Sequence, residues 1–196
     1  MKYRLLVFLF CFITIALSAQ NISIGVRDNQ YANIQYISKF HLLSELENSM
    51  FTTKIKLQHI RVYAGYRQDF KYLTGDVRVY YGTAYNNSYN DYGVKILGKK
   101  TFLKKWGIGL TLNPHNDSDY GYTTCYDVAL YHYICKEIAV ELTSSNIPEY
   151  RETINRIKAG LMFSSGNLHV KPQISIPTEG HVKNIRVLFS FNYQFQ

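Results

Sequence analysis

The sequence is poor in the residues that mark several large classes of protein. It has one Trp, four Pro and three Cys in 196 residues, and only 18% of its residues are charged. The low charge excludes a coiled coil or a long solvated helix, and a hydrophobic content of 46% excludes disorder. The few cysteines exclude a disulfide scaffold, because such scaffolds need several bridges in a short chain.

Motifs for common catalytic chemistry are also lacking. The chain has no GxSxG elbow, no HExxH pair, no phosphate loop and no CxxC pair. The segment from Asn116 to Gly121 resembles a calcium loop only loosely, and an ordinary polar hairpin loop is the simpler interpretation. We therefore predict no cofactor and no metal site.

Neighbouring Ser, His and acidic residues raise the alternative of a lipid-directed hydrolase. His41 and Glu45 share one face of a strand, but Ser44 points to the other face, which argues against a local triad. His169 and Ser175 share a face but lie about 20 Å apart along their strand, too far for proton transfer. No catalytic residue is predicted, and a site assembled from several strands stays open as an alternative.

The first nineteen residues have the three-part layout of a secretory signal peptide. Lys2 and Arg4 form a basic start, residues 5–17 form an apolar run, and small residues lead to Ala19. Cleavage is predicted after Ala19, with Ser18 as the other candidate. The apolar run is shorter than the ~20 residues that a membrane-spanning helix needs.

Export removes one cysteine and leaves Cys125 and Cys135. Their predicted positions along the strands separate them beyond bonding distance, so we expect two buried thiols. The excess of basic residues, a net charge of +8, is scattered. Its densest cluster, Lys99-Lys100 with Lys104-Lys105, has no basic helix around it. No nucleic-acid binding is predicted, and a solvated turn or contact with anionic lipid headgroups explains these lysines.

Alternation with a period of two residues is the strongest signal in the chain and indicates strands with two unlike faces. It is clearest in the last segment, where apolar side chains occupy every second position: Ile185, Val187, Phe189, Phe191, Tyr193 and Phe195. The same split recurs along most of the mature chain. Residues 54–67 break phase, which predicts a β-bulge near Gln58-His59 or two short strands.

Turn signals divide residues 20–196 into twelve strands. Strong signals include Asn48-Ser49 and Asn113-Pro114, and weaker ones fall near Lys39, Lys99 and Cys135. Merging the strands across Lys39 and Cys135 gives ten, which stays open as the alternative. Connections after odd-numbered strands are the more polar, and we expect long loops at one end and short turns at the other.

These features together resemble the bacterial outer-membrane β-barrel proteins. The resemblance rests on the export signal (1–19), an even number of amphipathic strands over 20–196, abundant Tyr and Phe, and an aromatic terminal strand. Gln196 follows Phe195, whereas that family usually ends on an aromatic residue. The resemblance implies an all-β, closed antiparallel transmembrane barrel in the outer membrane of a Gram-negative bacterium. It also implies contact with outer-membrane lipid and with the assembly machinery, which reads the last strand. The sequence sets no oligomeric state.

Strand parity assigns a side to each residue if the barrel spans a membrane. The charged positions of the polar face are predicted to line the lumen: Arg27, Glu45, Glu47, Arg61, Asp76, Arg78, Asp127, Glu137, Glu141, Arg156, Lys158, Lys171 and Arg186. The apolar positions are predicted to face lipid: Trp106, Ile108, Leu110, Val128, Leu130, Val187, Phe189 and Phe191.

The predicted function is that of a non-enzymatic membrane protein. It is either a structural or surface component or a narrow, porin-like pore with a polar, ion-paired lumen. The alternative from another class is a soluble, secreted barrel with its apolar face inward around an apolar ligand. A lipid-directed hydrolase is the third interpretation.

Overall fold

The computed structural model describes residues 19–27, 31–38, 40–52, 56–85, 88–103, 105–119, 121–146, 155–179 and 185–195. Apart from Ala19, the predicted export signal lies outside these residues. The described part of the chain contains no helix that is long and apolar enough to cross a membrane. Twelve strands are confirmed, and the ten-strand alternative is excluded.

The strands follow one another around the barrel in chain order, and every neighbouring pair is antiparallel. Their bounds are β1 Ala19–Arg27, β2 Tyr31–Ser38, β3 Leu42–Thr52, β4 Lys56–Asp69, β5 Leu73–Ala84, β6 Asn90–Phe102, β7 Trp106–Asp117, β8 Gly121–Tyr133, β9 Ile138–Ser145, β10 Arg156–Ser165, β11 Leu168–Pro177 and β12 Arg186–Phe195.

The barrel closes between its first and last strands. Ile22 lies opposite Phe195, and the pairing continues to Arg27 opposite Ser190. Closure leaves no strand edge open to another chain. It also divides every strand into an inner and an outer face.

The faces are assigned by burial, which alternates as the period of two predicts. Along β5, Asp76, Arg78 and Tyr80 are buried, whereas Val77 and Val79 are exposed. The apolar side therefore lies outside the barrel and the polar side lies inside. This is the arrangement expected of a barrel whose exterior is not in water.

Three predicted turns and one predicted irregularity were wrong. The turn predicted near Lys99 falls within β6, which continues to Phe102. Asn48-Ser49 lies within β3, whose pairing with β4 continues to Thr52. The same pairing runs without a register shift past Gln58-His59, and β4 is one strand from Lys56 to Asp69. The described residues therefore have neither the predicted bulge nor the alternative of two short strands. β7 continues through Pro114 to Asp117 because its backbone stays paired with β8 over this whole stretch, with Pro114 opposite Thr124.

Two ladders are interrupted at a proline. The β6–β7 pairing skips residues 94–95, opposite Pro114, and the β10–β11 pairing skips residues 161–162, opposite Pro172. A proline cannot donate a ladder hydrogen bond, so the strand loses contact on one side only.

The expected difference in connection length is confined to two loops. The connection from Ser145 to Arg156 and that from Pro177 to Arg186 are long. The other connections after odd-numbered strands are about as short as those after even-numbered strands. We call the end with the even-numbered connections the turn end and the other the loop end.

Candidate functional site: the lumen

Eleven of the thirteen predicted lumen residues lie on inner faces with side chains that are buried or partly buried. They are Glu45, Glu47, Arg61, Asp76, Arg78, Asp127, Glu141, Arg156, Lys158, Lys171 and Arg186. Arg27 lies on β1, but its side chain is outside the described part of the structure. Glu137 is a correction, because it lies exposed in the turn between β8 and β9.

The eight residues predicted to face lipid are all exposed on the outer face. They are Trp106, Ile108, Leu110, Val128, Leu130, Val187, Phe189 and Phe191. Their exposure follows from parity, since each is next to an inward-facing residue of its strand. No charged side chain interrupts this set.

Arg78 is at the centre of one ion network in the lumen. Its Nε donates to Asp76 Oδ1 at 2.7 Å, and its Nη1 donates to Glu45 on β3. Asn33 and Gln35 on β2 donate to the same Glu45 carboxylate at 2.8 and 3.0 Å. A buried guanidinium thus joins a buried carboxylate on its own strand to a buried carboxylate on β3, and two amides extend the network to β2.

Arg61 is at the centre of the next network along the same side. Its Nε donates to Asp91 Oδ2 at 2.9 Å, and its Nη1 donates to Glu47 Oε1 at 3.2 Å. Tyr63 donates to the other oxygen of Glu47 at 2.8 Å, and His59 Nε2 contacts Asp91 Oδ1 at 3.0 Å. We call the six charged residues of these two networks the paired wall: Glu45, Glu47, Arg61, Asp76, Arg78 and Asp91.

Aromatic rings fill the space beside the paired wall. The Tyr63 and Tyr80 rings lie 5.1 Å apart, and the Arg61 guanidinium lies 5.3 Å from the centre of the Tyr80 ring. Lys95 Nζ lies 5.5 Å from the centre of the Tyr63 ring. The rings supply cation–π contacts to the charged side chains on this side.

The opposite side of the lumen has more base than acid. Four bases on β10–β12 face two acids on β8 and β9. We call this set the basic wall: Arg156, Lys158, Lys171 and Arg186 with Asp127 and Glu141. Glu141 accepts from Thr143 at 2.9 Å and from Lys171 and Gln173 at 3.2 Å. Arg156, 1% exposed, approaches the Ser175 hydroxyl at 3.4 Å.

A cavity of about 150 Å³ adjoins the basic wall in the half nearer the turn end. Tyr131, Glu141, Lys171 and Asn192 are among its lining residues. Lys99 also lines it, with Nζ 4.6 Å from the centre of the Tyr131 ring. The cavity has room for several water molecules or a small solute, and its charged lining is predominantly basic.

The sequence reasoning missed several inward-facing residues. Asp91, Lys95 and Lys99 lie on β6, where inward Leu97 and outward Lys100 obscure the alternation of apolar and polar residues. Parity could have identified Asp91 and Asp117 as inward-facing, because each lies at an inward position of its strand and the two residues are paired. His59 was hidden by the supposed bulge.

Among the described residues, one Ser–His pair bears on catalysis, and the clustered ligands of a metal site are lacking. No group of three or more His, Cys, Asp or Glu side chains among them is placed to hold a metal ion. Ser164 Oγ and His169 Nδ1 are 2.9 Å apart, a pair that the sequence reasoning missed. No described carboxylate contacts this histidine. Both thiols are free, but only Cys125 is buried, and the exposure of Cys135 corrects the prediction of two buried thiols.

Comparison with solved structures finds porins of similar architecture. The KdgM porin in complex with disordered oligogalacturonate has a TM-score of 0.58 at 10% identity, over 90% of this chain and 97% of that chain. The NanC porin has a TM-score of 0.52 at 10% identity, over 90% of this chain and 98% of that chain. No family model matches the sequence, and no curated protein matches it. The similarity concerns the fold: this chain has the closed, twelve-stranded barrel of the outer-membrane porins.

Proposed function

We propose that this protein is a non-enzymatic outer-membrane barrel whose lumen forms a narrow, ion-paired pore. The observation that carries the proposal is the division of charge and apolar surface across one closed sheet. Val187 and Phe189 are exposed outside the barrel, whereas Arg78 and Glu45 are buried inside it. Charge on a lipid-facing strand costs about 2–4 kcal/mol at the bilayer midplane, so the faces fit a membrane in this orientation.

The soluble alternative requires the reverse arrangement. A secreted barrel that holds an apolar ligand needs an apolar interior and a polar exterior. In the described part of this barrel, the interior carries the two charged walls and the exterior carries the apolar side chains. This arrangement supports the membrane barrel over the soluble one.

The cavity beside the basic wall favours a pore over a filled barrel. Eight-stranded barrels are filled by their side chains and those with sixteen or more leave channels, so twelve strands alone do not decide. Here ion pairs and ring contacts join the side chains of the paired wall, and a cavity lies beside Lys171 and Lys99. We propose that solutes pass along the basic wall.

We further propose that the pore prefers anions. Four bases oppose two acids along the basic wall, and Lys99 adds another positive charge to the cavity. A passage beside an excess of one sign of charge concentrates ions of the opposite sign. The similar KdgM porin forms a complex with oligogalacturonate, an anionic sugar chain, which is consistent with this preference.

Membrane location is tested by gel mobility and by a charge on the outer face. The mature chain from washed membranes should run fast unboiled and slow when boiled. Phe189→Arg should prevent insertion, because Phe189 is 52% exposed on the outer face; the expected cost is about 2–4 kcal/mol. Phe189→Leu is the matched control and should insert normally. Normal assembly of the arginine variant would overturn the assignment of faces.

Conduction is tested with the purified barrel in planar bilayers. We expect small, stable conductance steps and, under a salt gradient, a reversal potential that indicates anion preference. A barrel that inserts without conducting would leave a structural or surface role. A barrel that conducts cations better than anions would overturn the role of the basic wall.

A further inference from the structure

The β6–β7 hairpin carries an unusual combination of side chains at its turn. Lys100, Phe102, Leu103, Lys105 and Trp106 are all exposed there, and we call them the turn-end patch. Lys100 lies opposite Ile108, and Phe102 lies opposite Trp106, so these four residues share the outer face. Positive and apolar groups therefore alternate over one small surface.

Lys100 is the one charged residue among the described side chains that face outward from a strand. No ion pair joins it to a described carboxylate. A lysine on a lipid-facing strand is tolerated near the membrane interface, where its long side chain reaches the headgroups. The position of Lys100 therefore indicates the level of the headgroups on this side of the barrel.

Leu103 occupies a backbone conformation that does not suit it. Its φ is +50°, in the left-handed region that glycine or asparagine normally occupies at a tight turn. The side chain is 80% exposed, so no contact within the barrel compensates for the strain. A leucine in this exposed, strained position has a physical reason if its side chain enters an apolar layer outside the protein.

The neighbouring turns extend the same surface. Phe70, Lys71 and Tyr72 are exposed in the turn between β4 and β5, and Ile134 and Lys136 are exposed in the turn between β8 and β9. Backbone hydrogen bonds tie these turns to the patch.

The two bonds are short and lie on either side of the patch. Thr101 N donates to Tyr72 O at 2.9 Å, and Tyr133 N donates to Lys105 O at 2.7 Å. Three adjacent turns thus form one continuous edge.

The charge of this edge is positive. Arg67 offsets Asp69 through an ion pair of 3.1 Å, so Glu137 is the acid that remains beside Lys71, Lys100, Lys105 and Lys136. The described loop-end residues show the opposite tendency, with Asp119 exposed and Glu179 partly exposed. Among the described residues, the attraction for an anionic surface is thus stronger at the turn end.

We propose that the turn-end patch binds the anionic headgroups of phospholipids in the membrane leaflet at that end of the barrel. Lys100 and Lys105 contact the phosphates, while Leu103 and Phe102 enter the boundary between headgroups and acyl chains. Trp106 suits the same level, as tryptophan does at membrane interfaces. The inference rests on the proposed membrane location but not on conduction.

Trp106 provides the measurement because it is the one tryptophan in the chain, and it is 36% exposed. Brominated lipids quench a tryptophan that they contact. The barrel is reconstituted in phosphatidylcholine vesicles, and quenching by brominated phosphatidylglycerol is compared with quenching by brominated phosphatidylcholine. We expect phosphatidylglycerol to be preferred about fivefold, the order that one lysine near an anionic surface supplies.

Three variants separate charge from structure. Lys100→Gln with Lys105→Gln should reduce the preference to near one, whereas Lys100→Arg with Lys105→Arg should preserve it. Added salt should weaken the wild-type preference, because the attraction is electrostatic. Leu103→Asn should relieve the backbone strain while leaving the lysines and the preference in place.

Two results overturn the proposal in different ways. Equal quenching by the two lipids in an inserted wild-type barrel overturns the headgroup preference alone. If the double glutamine variant keeps the preference for phosphatidylglycerol, the role of the two lysines is overturned in the same way. A chain that does not enter vesicles overturns both this proposal and the proposed membrane location.

Discussion

The two walls of the lumen use the same kinds of side chain to different effect. In the paired wall, four acids face the two arginines Arg61 and Arg78, and each arginine contacts two of the carboxylates. In the basic wall, Glu141 is held by a lysine, an amide and a hydroxyl, and bases outnumber acids. The cavity lies beside the basic wall.

The difference teaches that charge in a barrel interior has two uses. Arginine forks that bind two carboxylates fix neighbouring strands relative to one another and fill space. Basic side chains that outnumber their acidic partners leave a net positive field beside the cavity. We therefore expect mutations in the paired wall to change stability and mutations in the basic wall to change selectivity.

The largest effect is expected at Arg78. Arg78→Ala leaves Glu45 and Asp76 buried without their guanidinium, at a cost of about 3–5 kcal/mol in the free energy of unfolding. Urea unfolding from lipid vesicles measures it. Lys171→Ala in the basic wall is the control, and we expect a loss of about 1 kcal/mol or less because Lys171 is partly exposed. Equal losses would remove the distinction between the walls.

A smaller loss is expected at Gly82, which lies against the paired wall. A Cβ at this position would lie 2.1 Å from Asp91 Oδ1 and 2.6 Å from His59 Nε2. Gly82→Ala should therefore cost about 1–3 kcal/mol. Gly107→Ala is the matched control. A Cβ at position 107 would lie 3.4 Å from the nearest atom of Tyr133, which is an ordinary van der Waals distance. Tolerance of alanine at Gly82 would mean that the network adjusts more freely than its ion pairs indicate.

The smallest change in stability, and the largest in selectivity, is expected in the basic wall. Lys158→Gln with Lys171→Gln should reduce the anion-to-cation permeability ratio by roughly threefold. The reversal potential under a salt gradient measures the ratio. Lys105→Gln, outside the lumen, removes a lysine without changing the pore and should leave the ratio unaltered. If the lumen variant keeps its anion preference, the selectivity arises elsewhere.

The strand number and the two faces could be predicted because alternation is a local property of the chain. The apolar positions of β12 and the charged positions of β5 follow from parity alone. Prediction failed where one residue departs from the rule. Lys100 and Leu97 reverse the alternation on β6, and Asn48-Ser49 mimics a turn within a strand.

The contacts in the lumen could not be predicted in the same way. Arg78 meets Glu45 across an intervening strand, at a separation of 33 residues in the chain. That meeting depends on the register of β3 with β4 and of β4 with β5, which closure of the whole sheet determines. Parity shows which residues face inward, but the registers of all the strand pairs between two residues decide whether those residues are in contact.

The two proline gaps described in the ladders divide the barrel into two mechanical panels. One panel comprises β7–β10, and the other runs from β11 through the closure to β6. Within a panel, continuous backbone hydrogen bonds transmit force from strand to strand. Fewer such bonds cross the gaps beside Pro114 and Pro172, so less force is transmitted there. When the barrel is pulled or squeezed, it will flex along these two lines first. The paired wall lies within one panel, whereas the β10–β11 line divides the basic wall. A change in the cross-section of the barrel therefore moves Lys158 relative to Lys171 and leaves the paired wall nearly unchanged.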